Sequence, residues 1–137
     1  MLRVVFVLLL AVGHWGADTH AARAQNADIE ATITAQIDAF RADDLAQAFT
    51  YASPSIQGLF ETPENFGRMV QGGYPMVWRP GKIRYLELEE RSGVLFQKVE
   101  ITDAAGVVHV LEYQMIEMKG AWRINGVRLL ANPPATA

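Results

Sequence analysis

The sequence predicts an α+β fold, in which N-terminal helices pack on one face of a curved, antiparallel four-stranded sheet. The first observation is a run of four short β-like segments in the last third of the chain: Lys82–Arg91, Val94–Thr102, Val107–Met118 and Ala121–Leu130. Only two to four residues separate these segments. Connections this short join antiparallel strands, because a parallel return needs a crossover of about a dozen residues or more. Helical periodicity and capping signals before the first segment place helices against the sheet.

The first 24 residues have the three regions of a secretory signal peptide. Met1–Arg3 carries the positive charge, Val4–Val12 is an unbroken apolar run, and Ala22–Ala24 places small residues where a signal peptidase cleaves. We therefore predict cleavage before Gln25 and a periplasmic or secreted protein, which meets the membrane only through the signal peptide before cleavage. The alternative is an uncleaved anchor, but a spanning helix needs about 20 apolar residues and this run ends at Gly13.

Length and composition limit the classes of function. The chain has 137 residues, which fits one domain at residues 25–131 followed by a disordered tail at residues 132–137. Its formal net charge is −3 and its basic residues form no stripe, so nucleic acid is not an expected partner. The absence of cysteine excludes disulfides, thiol nucleophiles, zinc–thiolate sites and a lipid-modified cysteine. No motif has the spacing of a metal site or a phosphate-binding loop, and we expect no metal and no cofactor.

Two helices are predicted before Ser53-Pro54. Asn26 or Asp28 is a suitable N-cap for the first helix. Its apolar face follows the helical period and comprises Ile29, Ile33, Gln36, Ile37 and Phe40. Asp43 or Asp44 caps the second helix, and we interpret both as caps rather than catalytic carboxylates because adjacent helical residues do not share a face. Ser53-Pro54 ends the second helix, because the residue before a proline disfavours the helical conformation.

One further helix is predicted between this point and the sheet. Thr62-Pro63-Glu64 supplies a capping threonine, a proline at the first helical position and an acid in the first turn. This helix is expected to end at Gly72-Gly73. We expect an irregular link over Ser55–Glu61. The prolines and the glycine of Tyr74–Gly81 predict an ordered connection without regular secondary structure.

The strands carry two irregularities, and one strand has two apolar faces. The apolar pattern shifts by one residue at Asn125-Gly126 and again between Tyr85 and Leu86. Each shift predicts a β-bulge, and bulges predict a curved sheet. In the third strand both sets of alternating residues are largely apolar. A strand of this kind is covered on both sides, and we therefore predict a homodimer through the sheet.

Several motifs resemble known families. The helical pair Ile33–Tyr51 and the last strand Trp122–Val127 resemble the nuclear-transport-factor-like (ketosteroid-isomerase-like, cystatin-like) cone, the fold of ketosteroid isomerase and scytalone dehydratase. The segments Phe66–Val70, Gly73–Pro75 and Trp78–Pro80 resemble more specifically an uncharacterised family of small exported bacterial proteins, known only as a domain of unknown function. The resemblance covers nearly all of the mature chain. It implies the cone fold rather than a chemistry.

The same resemblance bears on one particular activity. Ketosteroid isomerase has a tyrosine on its first helix and an aspartate base shortly after its second. The matching positions in this chain are Gln36 and Gly58–Phe60. Neither position has the group that the isomerase needs, so the resemblance does not extend to that chemistry.

Candidate ligand-binding residues lie on the loop before the sheet and on one face of the strands. They are Tyr74, Trp78, Arg79, Tyr85, Gln97, His109 and Tyr113. Large aromatic side chains beside a charge, on a loop fixed by prolines, form either a ligand mouth or a plug at the open end of the sheet. His109 is the only histidine after Gln25. It is either a general base in the interior together with Tyr113, or a histidine hydrogen-bonded within the sheet or at a subunit interface.

These observations favour a non-catalytic ligand-binding or protein-interaction domain, whose partner is a small apolar ligand or an envelope protein. The reason is an apolar interior without an assembled acid–base set, and we assign no catalytic residue. The alternative is a cofactor-free isomerase or dehydratase acting on a small apolar substrate. In that case His109 is the general base, and Tyr113 or Tyr85 orients the substrate. A purely structural envelope protein with a filled interior is the third hypothesis.

Overall fold

The computed structural model describes residues 17–130, with side chains from residue 19 onward. The elements in chain order are α1 (Ala17–Arg41), α2 (Leu45–Thr50), α3 (Pro54–Phe60), α4 (Pro63–Gly73), α5 (Pro75–Trp78), β1 (Pro80–Arg91), β2 (Val94–Asp103), β3 (Val108–Met118) and β4 (Ala121–Leu129). The strands form one antiparallel sheet in the order β1-β2-β3-β4. The predicted α+β architecture is confirmed. The apolar run of the predicted signal peptide and the predicted tail lie outside the described residues.

Tight turns join the strands at the predicted places. Ser92 and Gly93 have φ values of 52° and 80°, and Lys119 and Gly120 have φ values of 53° and 77°. Two central residues with positive φ form a type I′ turn, whose twist matches that of the strands on either side. The strand bounds differ from the predicted ones by no more than two residues.

Both predicted bulges are present. The pairing of β4 with β3 skips Asn125, which is the extra residue of the first bulge. In β1 the register shifts between Tyr85 and Leu88. The buried side chain of Gln97 stabilises this second bulge, because its Nε2 donates a hydrogen bond to Leu86 O at 2.9 Å. A carbonyl group that the irregular ladder would leave unpaired is thereby satisfied.

α1 is longer than the sequence predicts. The chain is helical from Ala17 and passes through Asn26 and Asp28, so neither residue caps the helix and that prediction is wrong. Residues 17–28 are rich in alanine and contain no glycine or proline, and alanine has the highest helix propensity. The predicted apolar face is confirmed, because four of its five residues are fully buried and Gln36 is 3% exposed.

α2 and α4 begin at predicted capping residues. Asp44 Oδ1 accepts a hydrogen bond from Gln47 N at 3.1 Å at the start of α2. Thr62 Oγ1 accepts one from Asn65 N at 3.1 Å at the start of α4. α4 ends at Gly73, as predicted. Each cap satisfies a backbone N–H group that has no partner within its helix.

Two short helices occupy segments for which irregular chain is predicted. α3 occupies most of Ser55–Glu61, and α5 forms one turn within Tyr74–Gly81. Ser53 Oγ accepts a hydrogen bond from the backbone N–H three residues further on, at 3.2 Å, and a proline takes the first helical position. The prediction of a link is wrong because Ser53-Pro54 ends one helix and starts the next. Its cap-and-proline pattern is the same as that of Thr62-Pro63.

The helices pack on the sheet face that carries Leu111, Tyr113 and Met115, which we call the inner face. These three side chains are at most 2% exposed. They form one hydrophobic core with the apolar face of α1. Covering this face positions the side chains of the helices around the middle of β3 and β4.

The outer face of the sheet carries ion pairs. Glu112 is only 3% exposed, and its Oε1 accepts hydrogen bonds from Arg91 at 2.5 Å and from Arg128 at 2.8 Å. Other ion pairs join β1 to β2 on the same face. The exposed apolar residues lie at the two ends of β3, where Val108 is 45% and Met118 is 38% exposed. The middle of the outer face is therefore more polar than the apolar pattern of β3 indicates.

Candidate functional site

A cavity of about 220 Å³ lies between the helices and the inner face of the sheet. Side chains from α1, α3, α4 and α5 and from β3 and β4 line it. Of its fifteen lining residues three have polar side chains, and none is charged. The polar residues are Gln36, Tyr74 and Tyr113. An apolar cavity with a small number of polar groups is the usual form of a small-molecule site.

α4 supplies an aromatic wall of the cavity. The ring of Phe66 lies 5.8 Å from the ring of Phe40 and 5.8 Å from the ring of Phe60, measured between centroids. α2 packs closely behind this wall at Gly67, where a Cβ atom would lie only 2.6 Å from Leu45 Cδ2. The glycine therefore leaves room for the Leu45 side chain, which packs between α2 and α4.

The cavity opens beside α3. Leu59 lines the cavity and is 70% exposed, so it marks the mouth. α3 has no buried residue, and one contact along its length is Gln57 Nε2, which donates to Phe49 O at 3.0 Å. The Tyr74 hydroxyl donates to Val127 O at 3.0 Å and joins the end of α4 to β4. Because so little of α3 is buried, it is the wall whose displacement costs the least free energy.

Tyr113 is the central polar residue of the lining. Its side chain is fully buried, and its hydroxyl has no hydrogen-bond partner among the described residues. Buried polar groups are nearly always hydrogen-bonded, so an exception needs a physical cause. Burial, followed by the nearby phenols of Tyr85 and Tyr74, raises the pKa of Tyr113 well above the usual value for a phenol. The hydroxyl therefore stays neutral near physiological pH and is available as a hydrogen-bond donor.

Gln36 supplies a second buried polar group, from α1. Its side chain is 3% exposed, and its Nε2 donates to Ala48 O at 3.2 Å, which ties α1 to α2. Its Oε1 accepts no hydrogen bond from the part of the chain that the structure describes. The cavity lining thus contains one unused acceptor in addition to the unused hydroxyl.

Two of the seven predicted ligand-binding residues line the cavity. Tyr74 and Tyr113 line it, whereas Trp78, Arg79, Tyr85, Gln97 and His109 do not. Arg79 Nη1 donates to Phe40 O at 2.8 Å, and Nη2 pairs with Asp43 Oδ1 at 2.5 Å. The guanidinium also lies 4.5 Å from the centroid of the Trp78 ring. These contacts attach α5 to the end of α1.

Tyr85 also has partners away from the cavity. Its hydroxyl donates to Glu30 O at 3.0 Å and is hydrogen-bonded to the Thr34 hydroxyl at 2.6 Å. The residue therefore ties β1 to α1. Gln97 is similarly committed, because its amide stabilises the bulge in β1.

His109 lies near the start of β3, next to the β2–β3 turn. Its Nε2 is 2.9 Å from Asp103 Oδ2. Asp103 also accepts hydrogen bonds from the backbone N–H groups of Ala105 and Val107. The hydrogen bond from His109, followed by these backbone bonds, holds the pKa of Asp103 below its usual value. The arrangement fixes the turn, and it does not bring His109 into the cavity that Tyr113 lines.

Most of the cavity wall lies outside the predicted ligand-binding set. Ile56, Leu59 and Phe60 line the cavity from α3, a helix that the sequence does not predict. Gln36 belongs to the predicted apolar face of α1. A polar side chain in the middle of such a face is the signal that points to it, because buried polar residues are uncommon and informative.

Residues 17–130 contain neither a metal-binding cluster nor a membrane-spanning helix. These residues contain no group of three or more histidine, aspartate or glutamate side chains that is placed to hold a metal ion. None of their helices is long and apolar enough to cross a membrane.

Residues 22–137 match the sequence family described as a domain of unknown function, DUF4864. Because the match covers most of the 137 residues, the chain belongs to this family. No curated protein and no solved structure matches the chain. The predicted membership of a family known only as a domain of unknown function is confirmed.

Proposed function

We propose that this member of the DUF4864 family is a ligand-binding domain, which holds a small, largely apolar molecule in its cavity without converting it. The observation that carries the proposal is a 220 Å³ cavity whose lining is apolar apart from three side chains. No lining residue has a carboxylate, an imidazole or an amine. These are the groups that most often transfer protons in catalysis, so the lining supports binding better than turnover.

The volume of the cavity indicates the size of the ligand. An apolar cavity of about 150 Å³ binds benzene, so 220 Å³ corresponds to about nine non-hydrogen atoms. At about 0.5 kcal/mol of binding free energy per atom, such a ligand has a Kd of roughly 0.5 mM. Tighter binding requires polar contacts in addition to apolar burial.

Filling the cavity with a larger side chain tests this proposal. Val127→Trp places a large ring at a half-buried lining position. Leu129→Trp places the same ring two residues further along β4, on the same face but outside the lining, and is the matched control. The probe is isopropylbenzene, an apolar molecule of about nine non-hydrogen atoms, titrated into protein with 13C-labelled methyl groups.

We expect saturable shifts of the Met69 and Ile124 methyl signals in the unsubstituted protein and in the Leu129→Trp variant. The Val127→Trp variant should show none, because its ring occupies space inside the cavity. Absence of binding to the unsubstituted protein contradicts the proposal. Equal binding to both variants shows that the probe occupies a different place.

We also propose that the protein is exported, to the periplasm or out of the cell. The described side chains before the predicted cleavage site, at residues 19–24, are all exposed, and the first buried side chain is that of Ile29. Cleavage before Gln25 would therefore remove no side chain from the core. Intact-mass measurement on cytoplasmic, envelope and culture-medium fractions of the native host tests this proposal. A full-length chain found only in the cytoplasm contradicts it.

A homodimer through the outer face of the sheet is a further proposal. Val108 and Met118 expose apolar surface at the ends of β3. In the middle of this face the carboxylate of Glu112 is paired with Arg91 and Arg128, so a second copy can cover it without leaving that carboxylate buried and unpaired. Sedimentation velocity at high concentration measures the dimer, and Met118→Arg should weaken it. A monomer at every concentration contradicts the dimer and leaves the cavity proposal unaffected.

A further inference from the structure

We propose that the ligand is uncharged and carries an oxygen atom that accepts a hydrogen bond from the Tyr113 hydroxyl. This inference rests on the proposed function, because it specifies the chemistry of the molecule that the cavity holds. It is carried by a second feature of the cavity, a fully buried hydroxyl without a partner among the described residues.

Tyr113 has little freedom to find a partner elsewhere. It pairs with Gln97 on β2 and with Val127 on β4, so its backbone is held on both sides in the interior of the sheet. Its side chain is fully buried, and a flip of the ring about its own axis leaves the hydroxyl oxygen in place. The hydroxyl belongs to a residue that lines the cavity and lacks a protein partner among the described residues, so a molecule inside the cavity is the partner that we infer.

The donor groups of the other two polar lining residues already have partners, so Tyr113 supplies the donor for the ligand. The Tyr74 hydroxyl already donates to Val127 O at 3.0 Å. The Gln36 amide nitrogen already donates to Ala48 O at 3.2 Å. A ketone, ester or hydroxyl oxygen is the kind of ligand atom that complements a neutral phenol donor. For a ligand hydroxyl, Gln36 Oε1 remains as an acceptor in the same lining.

The lining disfavours a charged ligand. None of its fifteen residues is charged, and an ion that enters apolar surroundings loses its hydration without compensation. One phenol donor is too little to replace the hydration of a carboxylate. The rings of Phe40, Phe60 and Phe66 are the feature that attracts a cation, so a cationic probe belongs in the test.

The probes are isopropylbenzene, acetophenone, benzoate and benzylammonium, which are similar in size. Acetophenone carries a ketone oxygen in place of one methyl group of isopropylbenzene. Binding of each probe to the unsubstituted protein and to Tyr113→Phe is measured by methyl NMR near neutral pH. The two uncharged probes differ in hydration free energy. The affinity of each probe is therefore compared between the unsubstituted protein and Tyr113→Phe, so that the hydration of the probe cancels in the ratio.

We expect Tyr113→Phe to weaken acetophenone binding about fivefold, the effect of one neutral hydrogen bond. Isopropylbenzene binding should change by less than about twofold, because it makes no hydrogen bond. Tyr85→Phe is the matched control, since its hydroxyl is bonded to Glu30 O and to Thr34 outside the cavity, and it should change neither. Benzoate and benzylammonium should bind the unsubstituted protein at least about tenfold more weakly than acetophenone.

The outcomes separate this inference from the proposed function. If neither uncharged probe binds the unsubstituted protein, the proposed function fails. If both bind and Tyr113→Phe weakens acetophenone no more than isopropylbenzene, the cavity is a binding site and this inference is wrong. If benzoate or benzylammonium binds as tightly as acetophenone, the inference that the ligand is uncharged is wrong. The 13Cζ signal of Tyr113 in the unsubstituted protein, which needs no variant, should move further with acetophenone than with isopropylbenzene, because the hydrogen bond adds to the ring-current shift that both probes cause.

Discussion

Tyr113→Phe is expected to make the ligand-free protein more stable. The substitution removes one oxygen atom and keeps the ring in the core, where the side chain is fully buried. A buried polar group without a partner costs about 1–3 kcal/mol of folding free energy. We therefore expect the free energy of unfolding to rise by about 1–2 kcal/mol, which corresponds to about 4–8 °C in melting temperature for a domain of this size.

The measurement needs protein that is free of bound molecules. A ligand hydrogen-bonded to the Tyr113 hydroxyl would stabilise the unsubstituted protein by mass action and reverse the sign. The protein is therefore unfolded in guanidinium, washed and refolded before thermal and chemical unfolding are followed by circular dichroism. Unchanged m-values show that the comparison measures stability.

Tyr85→Phe is the control for this experiment, because the Tyr85 hydroxyl has partners. It should lower the free energy of unfolding by about 1 kcal/mol, since it removes the hydrogen bonds to Glu30 O and Thr34. The two Tyr→Phe variants should thus move in opposite directions. A Tyr113→Phe variant that loses as much stability as Tyr85→Phe would refute the reasoning, because it would show that the Tyr113 hydroxyl has a partner in the folded protein.

Two further predictions concern the outer face and the mouth of the cavity. Burial raises the pKa of Glu112, but hydrogen bonds from Arg91 and Arg128 outweigh it and hold the pKa below its usual value. The stability from this group is present above the carboxyl's unfolded pKa and lost as the pH falls through its folded pKa, so the stability difference between Glu112→Gln and the unsubstituted protein should shrink in acid titrations. Ser53→Ala removes the cap of α3 and the hydrogen bond from the Ser53 hydroxyl to Asn125 Oδ1, and should cost about 1–3 kcal/mol. It should also speed exchange of isopropylbenzene by NMR, whereas Thr62→Ala, which removes the cap of α4, should lower stability without that effect.

The sheet and two of the helix starts are predictable from sequence because their signals are local. Ser92-Gly93 and Lys119-Gly120 form hairpin turns through residues with positive φ. The shift of the apolar pattern at Asn125 marks a bulge because side chains in a strand alternate between faces. Asp44 and Thr62 cap helices through hydrogen bonds to residues three positions away. Each feature depends on neighbours in the sequence.

The cavity is not predictable in the same way, because it depends on contacts between distant residues. Tyr113 and His109 lie on the same face of β3, and the sequence alone does not show which of them lines the cavity. Only Tyr113 lines the cavity, since Asp103 at the β2–β3 turn binds His109. Whether the side chains of α3 fill the interior or leave space is a matter of packing volumes, which periodicity does not report.

The cavity and the Tyr113 hydroxyl both lower the stability of the ligand-free fold. An enclosed apolar cavity costs about 24 cal/mol per Å³, so 220 Å³ costs at most about 5 kcal/mol, and the unpartnered hydroxyl adds about 1–3 kcal/mol. The free energy of unfolding of a typical domain is only about 5–15 kcal/mol. Tyr113→Phe and Ala52→Val would reduce both costs with ordinary apolar side chains. Features that destabilise a fold, although single substitutions would remove them, are typical of functional sites. A ligand that fills the cavity and accepts a hydrogen bond from Tyr113 would remove both costs together, which is why we assign the two features to one site.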